Sequence, residues 1–220
     1  MKFEKKDLEL DKGLQKEWII TNGIGGYASS TIIGANTRKY HGLLVAPLYA
    51  PAKRHLILSK LDESIILGER KYDLYTNVCK NYVSQGFNYL ESFQKDILPI
   101  FKYKVEDTEI TKTICMQYGK NTVEVYYKVR NGNKKAKLEL APIFNFRDFH
   151  SMNTNHDIEI KQEMKQSKIK LIIDNNISNP IYMKISEGKY IEHVKNIFYN
   201  MFYIEEEKRG FYPEENHIVS

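Results

Sequence analysis

Two short blocks hold most of the side chains able to do chemistry. Arg38, Tyr40 and His41 stand almost side by side, and so do Arg147, Asp148 and His150. Arginine forks onto a carboxylate or onto a pair of sugar hydroxyls. Histidine moves a proton near neutral pH or holds a hydrogen bond. No Ser or Cys nucleophile in a recognisable setting accompanies His41, so triad chemistry is not expected there. Asp148 and His150 offer two metal ligands, and His156 would have to fold back as a third, so no metal site is expected. Asp62, Glu63 and Asp148 are the acids from which a glycosidase pair would be drawn. Such a pair faces across the scissile bond at about 5–5.5 Å or about 6.5–9.5 Å, and nothing in the spacing of these three arranges them so. No catalytic residue and no cofactor is assigned. The two blocks are read instead as one substrate-binding or domain-contact surface at an end of the fold. The competing reading is an internal network of salt bridges and hydrogen bonds.

A third stretch, Asn22-Gly23-Ile24-Gly25-Gly26, has the look of a phosphate loop. A P-loop needs a Lys-Ser/Thr pair after its last glycine, and here Tyr27-Ala28 follows. A dinucleotide fingerprint needs a helix next, whereas Ser30 to Ile33 favours a strand. Gly23, Gly25 and Gly26 are therefore read as a structural turn between strands, with Gly25 or Gly26 at φ > 0 or under a close backbone approach.

The elements that must position these groups read as strands. Trp18–Thr21, Ser30–Ile33 and His41–Val45 flank the two turns, and 55–61, 63–67 and 72–75 follow. The clearest alternation runs from Ile100 to Val105, Ile110 to Met116 and Val123 to Val129. Asn131-Gly132-Asn133 reads as a hairpin turn leading to 137–141. Residues 158–164, 168–173, 181–186 and 189–193 repeat the pattern. Residues 1–16 read as an arm or short edge strand, 76–97 as a long surface loop, and the charged 205–209 run as solvated, before an unstructured tail. Turns about every ten residues predict an all-β, antiparallel β-sandwich with few short helices.

Composition excludes several classes. The net charge is +5, from 33 basic and 28 acidic residues that are interspersed. No basic stripe points to nucleic acid or to an anionic membrane. No apolar run is long enough to span a membrane, and the charged N-terminus is not a signal peptide. Two cysteines, Cys79 and Cys115, suit a reduced, cytoplasmic chain better than a disulfide framework. Sixteen Tyr and ten Phe are mostly core and cross-strand partners; exposed ones can stack on sugar rings.

The blocks Asn22 to Ser29 and Asn36-Thr37-Arg38-Lys39-Tyr40-His41-Gly42-Leu43-Leu44-Val45 resemble the N-terminal domain of the bacterial and archaeal type of glycogen debranching enzyme, the amylo-α-1,6-glucosidase family. The resemblance continues at Leu58 to Glu63, at Pro142 to His150, at Phe198-Tyr199-Asn200 and at Glu206 to Gly210. It implies a single supersandwich-like domain over 1–220. It also implies that the hydrolytic carboxylates sit in a following (α/α)-barrel that this chain lacks, so that the chain is a piece of a longer enzyme and inactive alone. Expected partners are that barrel, in the same or a neighbouring chain, and α-glucan or glycogen. A free-standing carbohydrate-binding protein or carbohydrate-active enzyme is the alternative.

Overall fold

The computed structural model describes residues 1–154, 158–192 and 196–219. Residue 156, weighed as a third metal ligand, lies outside them, as does residue 193. Among the described residues the fold is an all-β antiparallel sandwich with a few short helices. The larger sheet runs Glu17–Thr21, Tyr27–Thr31, Gly42–Tyr49, Ala52–Leu67, Ala136–Asp148, Glu214–Val219, Asn196–Phe202, Val78–Cys79 and Tyr82–Val83, with Arg70–Asp73 paired beside Ala52–Leu67. A second sheet stacks Lys2–Glu4, Leu90–Lys95, Pro99–Val105, Thr108–Met116 and Val123–Arg130 in that order. A three-stranded sheet, Ile160–Lys165, Lys168–Ile173 and Ile181–Lys184, stands against the far part of the large one.

Alternation explains the core. Pro99–Val105 and Thr108–Met116 send every second side chain inward, as a strand with one wet face must. Phe101, Tyr103, Ile110 and Ile114 meet Trp18, Ala28, Leu43 and Ile65 of the larger sheet. The Trp18 ring stands edge-on to Phe101 at 6.2 Å, and its indole N–H donates to the Thr31 carbonyl at 3.0 Å. Each fully buried side chain of this size contributes roughly 1.5–3 kcal/mol. A second, smaller core joins Phe144 and Ile218 to Ile169, Leu171 and Ile173.

Four expectations change. Residues 76–97 are not a loop throughout: Leu90–Lys95 is an inner strand of the smaller sheet, with Phe93 fully buried. Its neighbours Glu91, Ser92 and Gln94 mask that role in the sequence. Asn131-Gly132-Asn133 does not close a hairpin. Val123–Arg130 pairs with Thr108–Met116, whereas Ala136–Asp148 pairs with Ala52–Leu67 in the other sheet, so this turn crosses between sheets. It folds onto Asp107, which takes the Asn133 N–H at 2.9 Å. Residues 189–192 form no strand. The tail is not unstructured. Glu214–Val219 enters the large sheet between Ala136–Asp148 and Asn196–Phe202, burying Glu215, Asn216, His217 and Ile218, and Glu206 of the charged run is fully buried too.

Candidate functional site

The glycine stretch turns Glu17–Thr21 back onto Tyr27–Thr31. Gly23 and Gly25 have φ of 80° and 97°, a region that a side chain strains. At Gly25 a Cβ would also sit 2.7 Å from the Pro51 carbonyl oxygen. Asn22 organises this turn from within. Its Oδ1 accepts the N–H groups of Ile24 (3.1 Å) and Gly26 (2.8 Å), and its Nδ2 donates to the Lys120 carbonyl at 3.0 Å. The N–H groups close on a side chain of their own loop, as in an Asx turn.

The loop over residues 36–41 leads into Gly42–Tyr49. Within it, His41 is buried. Its Nδ1 accepts the Thr37 N–H at 3.0 Å, which leaves Nε2 to carry a hydrogen toward Glu17 at 3.4 Å. Arg38 donates to the same Glu17 oxygen at 2.7 Å and lies 3.7 Å from Glu205. The His41 hydrogen bond, helped by Arg38 and opposed by burial, holds the Glu17 carboxyl at about 2. His41 and Arg38 thus anchor the loop to the first strand of the large sheet.

The second block ends Ala136–Asp148. Arg147 is buried and grips Glu215 with two guanidinium nitrogens, Nη2 reaching Oε2 at 2.9 Å. Nη2 also donates to the Lys39 carbonyl at 2.7 Å and Nη1 to the Asp148 carbonyl at 3.2 Å. Glu215 further accepts the Asn153 N–H at 2.8 Å and the Tyr203 hydroxyl at 2.6 Å. Burial alone would raise the Glu215 carboxyl, but Arg147 and His217 outweigh it and hold it below its usual range. His217, with no exposed surface, is pushed down to about 4, chiefly by burial. Tyr203 is raised well above the usual phenol range by burial and by Glu215.

What reaches the surface is a ring cluster. The half-buried Tyr40 meets Phe149 edge-on at 5.5 Å, and its hydroxyl lies 3.2 Å from Nδ1 of the exposed His150. Asp148 fixes this corner by accepting the His150 N–H at 2.9 Å. The Lys39 ammonium sits 5.3 Å from the Tyr40 ring centre and 5.5 Å from that of Phe211, and donates to the His150 carbonyl at 2.7 Å. Arg54 lies over Phe149 and Arg209 over Phe211. Such cation–ring contacts are attractive through the ring quadrupole.

Of the six residues singled out from the sequence, the fold brings Tyr40, Asp148 and His150 to one surface corner. It buries His41 and Arg147 and pairs the partly exposed Arg38 with Glu17. As exposed members of a contact patch, His41 and Arg147 are corrected: each is held within the domain by a carboxylate. Lys39 and Phe149, inside the two blocks but not among the six, complete that corner. Phe211, Tyr203 and Glu215 carried no local signal, because their partners are distant in sequence. Asp62 and Glu63 form no facing acid pair. Asp62 accepts from Asn77 Nδ2 at 2.6 Å and lies 3.2 Å from Lys60; Glu63 is bound by Lys112 and by the Tyr127 hydroxyl. Both are buried. Among the described residues no group of three or more His, Cys, Asp or Glu side chains is arranged to hold a metal ion.

No curated protein and no solved structure matches this chain. The family model described as the glycogen debranching enzyme N-terminal domain matches residues 16–220. That span takes in the glycine turn, the 36–41 loop, the Arg147–Glu215 pair and the ring cluster, and the chain belongs to the glycogen debranching enzyme N-terminal family.

Proposed function

We propose that this chain is a non-catalytic module of a glycogen debranching enzyme. It supports hydrolysis of α-1,6-glucosidic branches by docking on an (α/α)-barrel catalytic domain, and its ring cluster contacts that domain and the α-glucan. The observation that carries this reading is the convergence of Phe149 and His150 on the Tyr40 ring, with the Lys39 ammonium over both Tyr40 and Phe211. Aromatic faces stack on the axial C–H groups of glucose, while Lys39 and His150 supply polar groups for its hydroxyls. An independent enzyme gains no support from Asp62 and Glu63, since each is buried and already bound to a cation.

Titration of maltoheptaose into the chain, followed by amide NMR shifts, tests the reading. Binding is expected near millimolar, about −4 kcal/mol, with shifts centred on residues 39–41 and 149–150. Tyr40→Ala and Phe211→Ala weaken it. The reading falls if neither variant changes sugar binding or association with the separately produced barrel domain.

A further inference from the structure

We propose that the buried Arg147–Glu215 pair is the positioning hub of the ring cluster, setting the geometry of a contact face that neither side chain touches from outside. The proposal rests on the reading of that face as a contact surface. Three chain segments carry the rings, and each is tied to the pair. The loop bearing Tyr40 is held through the Lys39 carbonyl on Arg147 Nη2. The turn bearing Phe149 and His150 is held at both ends: its start by the Asp148 carbonyl on Arg147 Nη1, its end by the Asn153 N–H on Glu215. The segment bearing Phe211 is held through Tyr203, whose hydroxyl donates to Glu215 and whose N–H donates to the Pro213 carbonyl at 2.8 Å. The Phe211 N–H in turn donates to the Glu206 carbonyl at 2.9 Å, on the short helix Ile204–Lys208 that begins after Tyr203.

A buried ion pair is a poor device for stability alone. Desolvating both charges cancels most of their attraction, and apolar residues of the same volume often do as well. Here the pair, beyond its own two bonds, holds the main-chain groups of Lys39, Asp148 and Asn153 and the Tyr203 hydroxyl, with His217 Nε2 at 3.4 Å from Glu215. Arginine's planar fork can serve several acceptors in fixed directions, which a lysine ammonium cannot. Sites built this way depend on the supporting groups behind them, because a loosely held side chain loses its productive geometry.

The test uses the full chain. Aromatic NMR measures the cross-relaxation between the Tyr40 and Phe149 rings and between the Tyr40 and His150 rings. Arg147→Lys keeps the charge but loses the fork; Glu215→Gln keeps the shape but loses the charge. Ile110→Val, a core change in the smaller sheet, serves as a control for lowered stability without contact to the hub. Both hub variants are expected to lose these ring contacts and to weaken maltoheptaose binding by about tenfold, while Ile110→Val keeps both. Native contacts in Arg147→Lys and Glu215→Gln, or equal loss in Ile110→Val, overturn the proposal. A mutation-free measurement covers a hub variant that fails to fold. In native-state hydrogen exchange, the Asn153 amide and the His41 amide, which closes the 38–41 turn on the Arg38 carbonyl, should open as one unit, with protection agreeing within about threefold. Separate opening overturns the hub. If Tyr40→Ala leaves sugar binding and barrel association unchanged, the contact-face reading fails instead, and the ring and exchange data still decide whether Arg147 and Glu215 set that corner.

Discussion

The Tyr40 hydroxyl and His150 Nδ1 lie 3.2 Å apart although 110 positions separate them in the chain. The contact closes the gap between the loop that enters Gly42–Tyr49 and the turn that leaves Ala136–Asp148. Those two strands are not neighbours: Ala52–Leu67 pairs with both and lies between them. The contact therefore reports the register of three strands at once. A slip of one residue in any of them would turn its side chains to the other face and part Tyr40 from His150.

Stability should fall as the solution is acidified from about pH 6.5 to about pH 4, because of His217. Its folded value is about 4 against an ordinary 6.5. Between these values the unfolded chain binds a proton that the folded chain refuses, so the folded state loses ground as pH falls through this window. The full effect, reached below pH 4, is on the order of 3 kcal/mol. Urea unfolding at successive pH values measures it. A His217→Asn variant should have a flatter profile over this window, and an unchanged slope would assign the loss to other groups. Glu17 acts lower. Its value of about 2 against 4.5 adds stability above pH 4.5 that is lost as pH falls toward 2.

Gly25→Ala should destabilise the chain more than Gly34→Ala. Both glycines have positive φ, at 97° and 75°, but Gly34 has nothing within 4 Å of an added Cβ. Its replacement therefore costs only the conformational term, about 1–2 kcal/mol. Gly25 adds the approach of the Pro51 main chain, which cannot swing away as a side chain can. Thermal unfolding of the two variants compares them directly. Equal losses would mean that the Pro51 turn gives way.

The sequence made the sandwich legible where alternation was strong. Trp18, Phe101, Tyr103, Ile110 and Ile114 stand at strand positions whose period of two is plain, and they form the main core. It hid Leu90–Lys95, where only Leu90 and Phe93 are buried among polar neighbours, and Glu214–Val219, whose polar residues are buried by neighbouring strands and not by their own pattern. The candidate site was legible in the same partial way. Tyr40 and His150 lie in short blocks dense in ring and charged groups. Arg147 looked like a surface residue because its partner, Glu215, is 68 positions away in a tail with no strand signal. Which arginine is buried depends on where a carboxylate arrives, and that is fixed only by tertiary pairing.

Lys112→Met should be among the more damaging single changes in the smaller sheet. Lys112 and Glu63 form an ion pair across the sandwich, buried on both sides. Removing one charge strands the other in the core at a cost of roughly 3–5 kcal/mol. The double variant Lys112→Met with Glu63→Gln should recover more than half of that, since the glutamine amide is neutral and its oxygen still accepts the Tyr127 hydroxyl. Denaturant titration of the two variants separates charge from packing. A double variant as unstable as the single one would place the loss in the shape of the methionine.

The chain by itself should release no glucose from a branched limit dextrin. A glycosidase needs one carboxyl free to attack or to activate water and another free to donate a proton across the scissile bond. Asp62 is buried beside Lys60 and Asn77, and Glu63 beside Lys112 and Tyr127. Burial raises the Asp62 carboxyl, with Lys60 and Asn77 opposing, which resembles the tuning of a general acid. No sugar reaches it, however, because its carboxylate oxygens face side chains of its own core. Asp148 is nearer the surface, but one oxygen is engaged by the His150 N–H. Incubating the purified chain with limit dextrin and assaying free glucose gives the answer. Turnover that disappears in Asp62→Asn, Glu63→Gln or Asp148→Asn, with folding intact, would make the chain an enzyme in its own right. Turnover that survives all three would point to a contaminant.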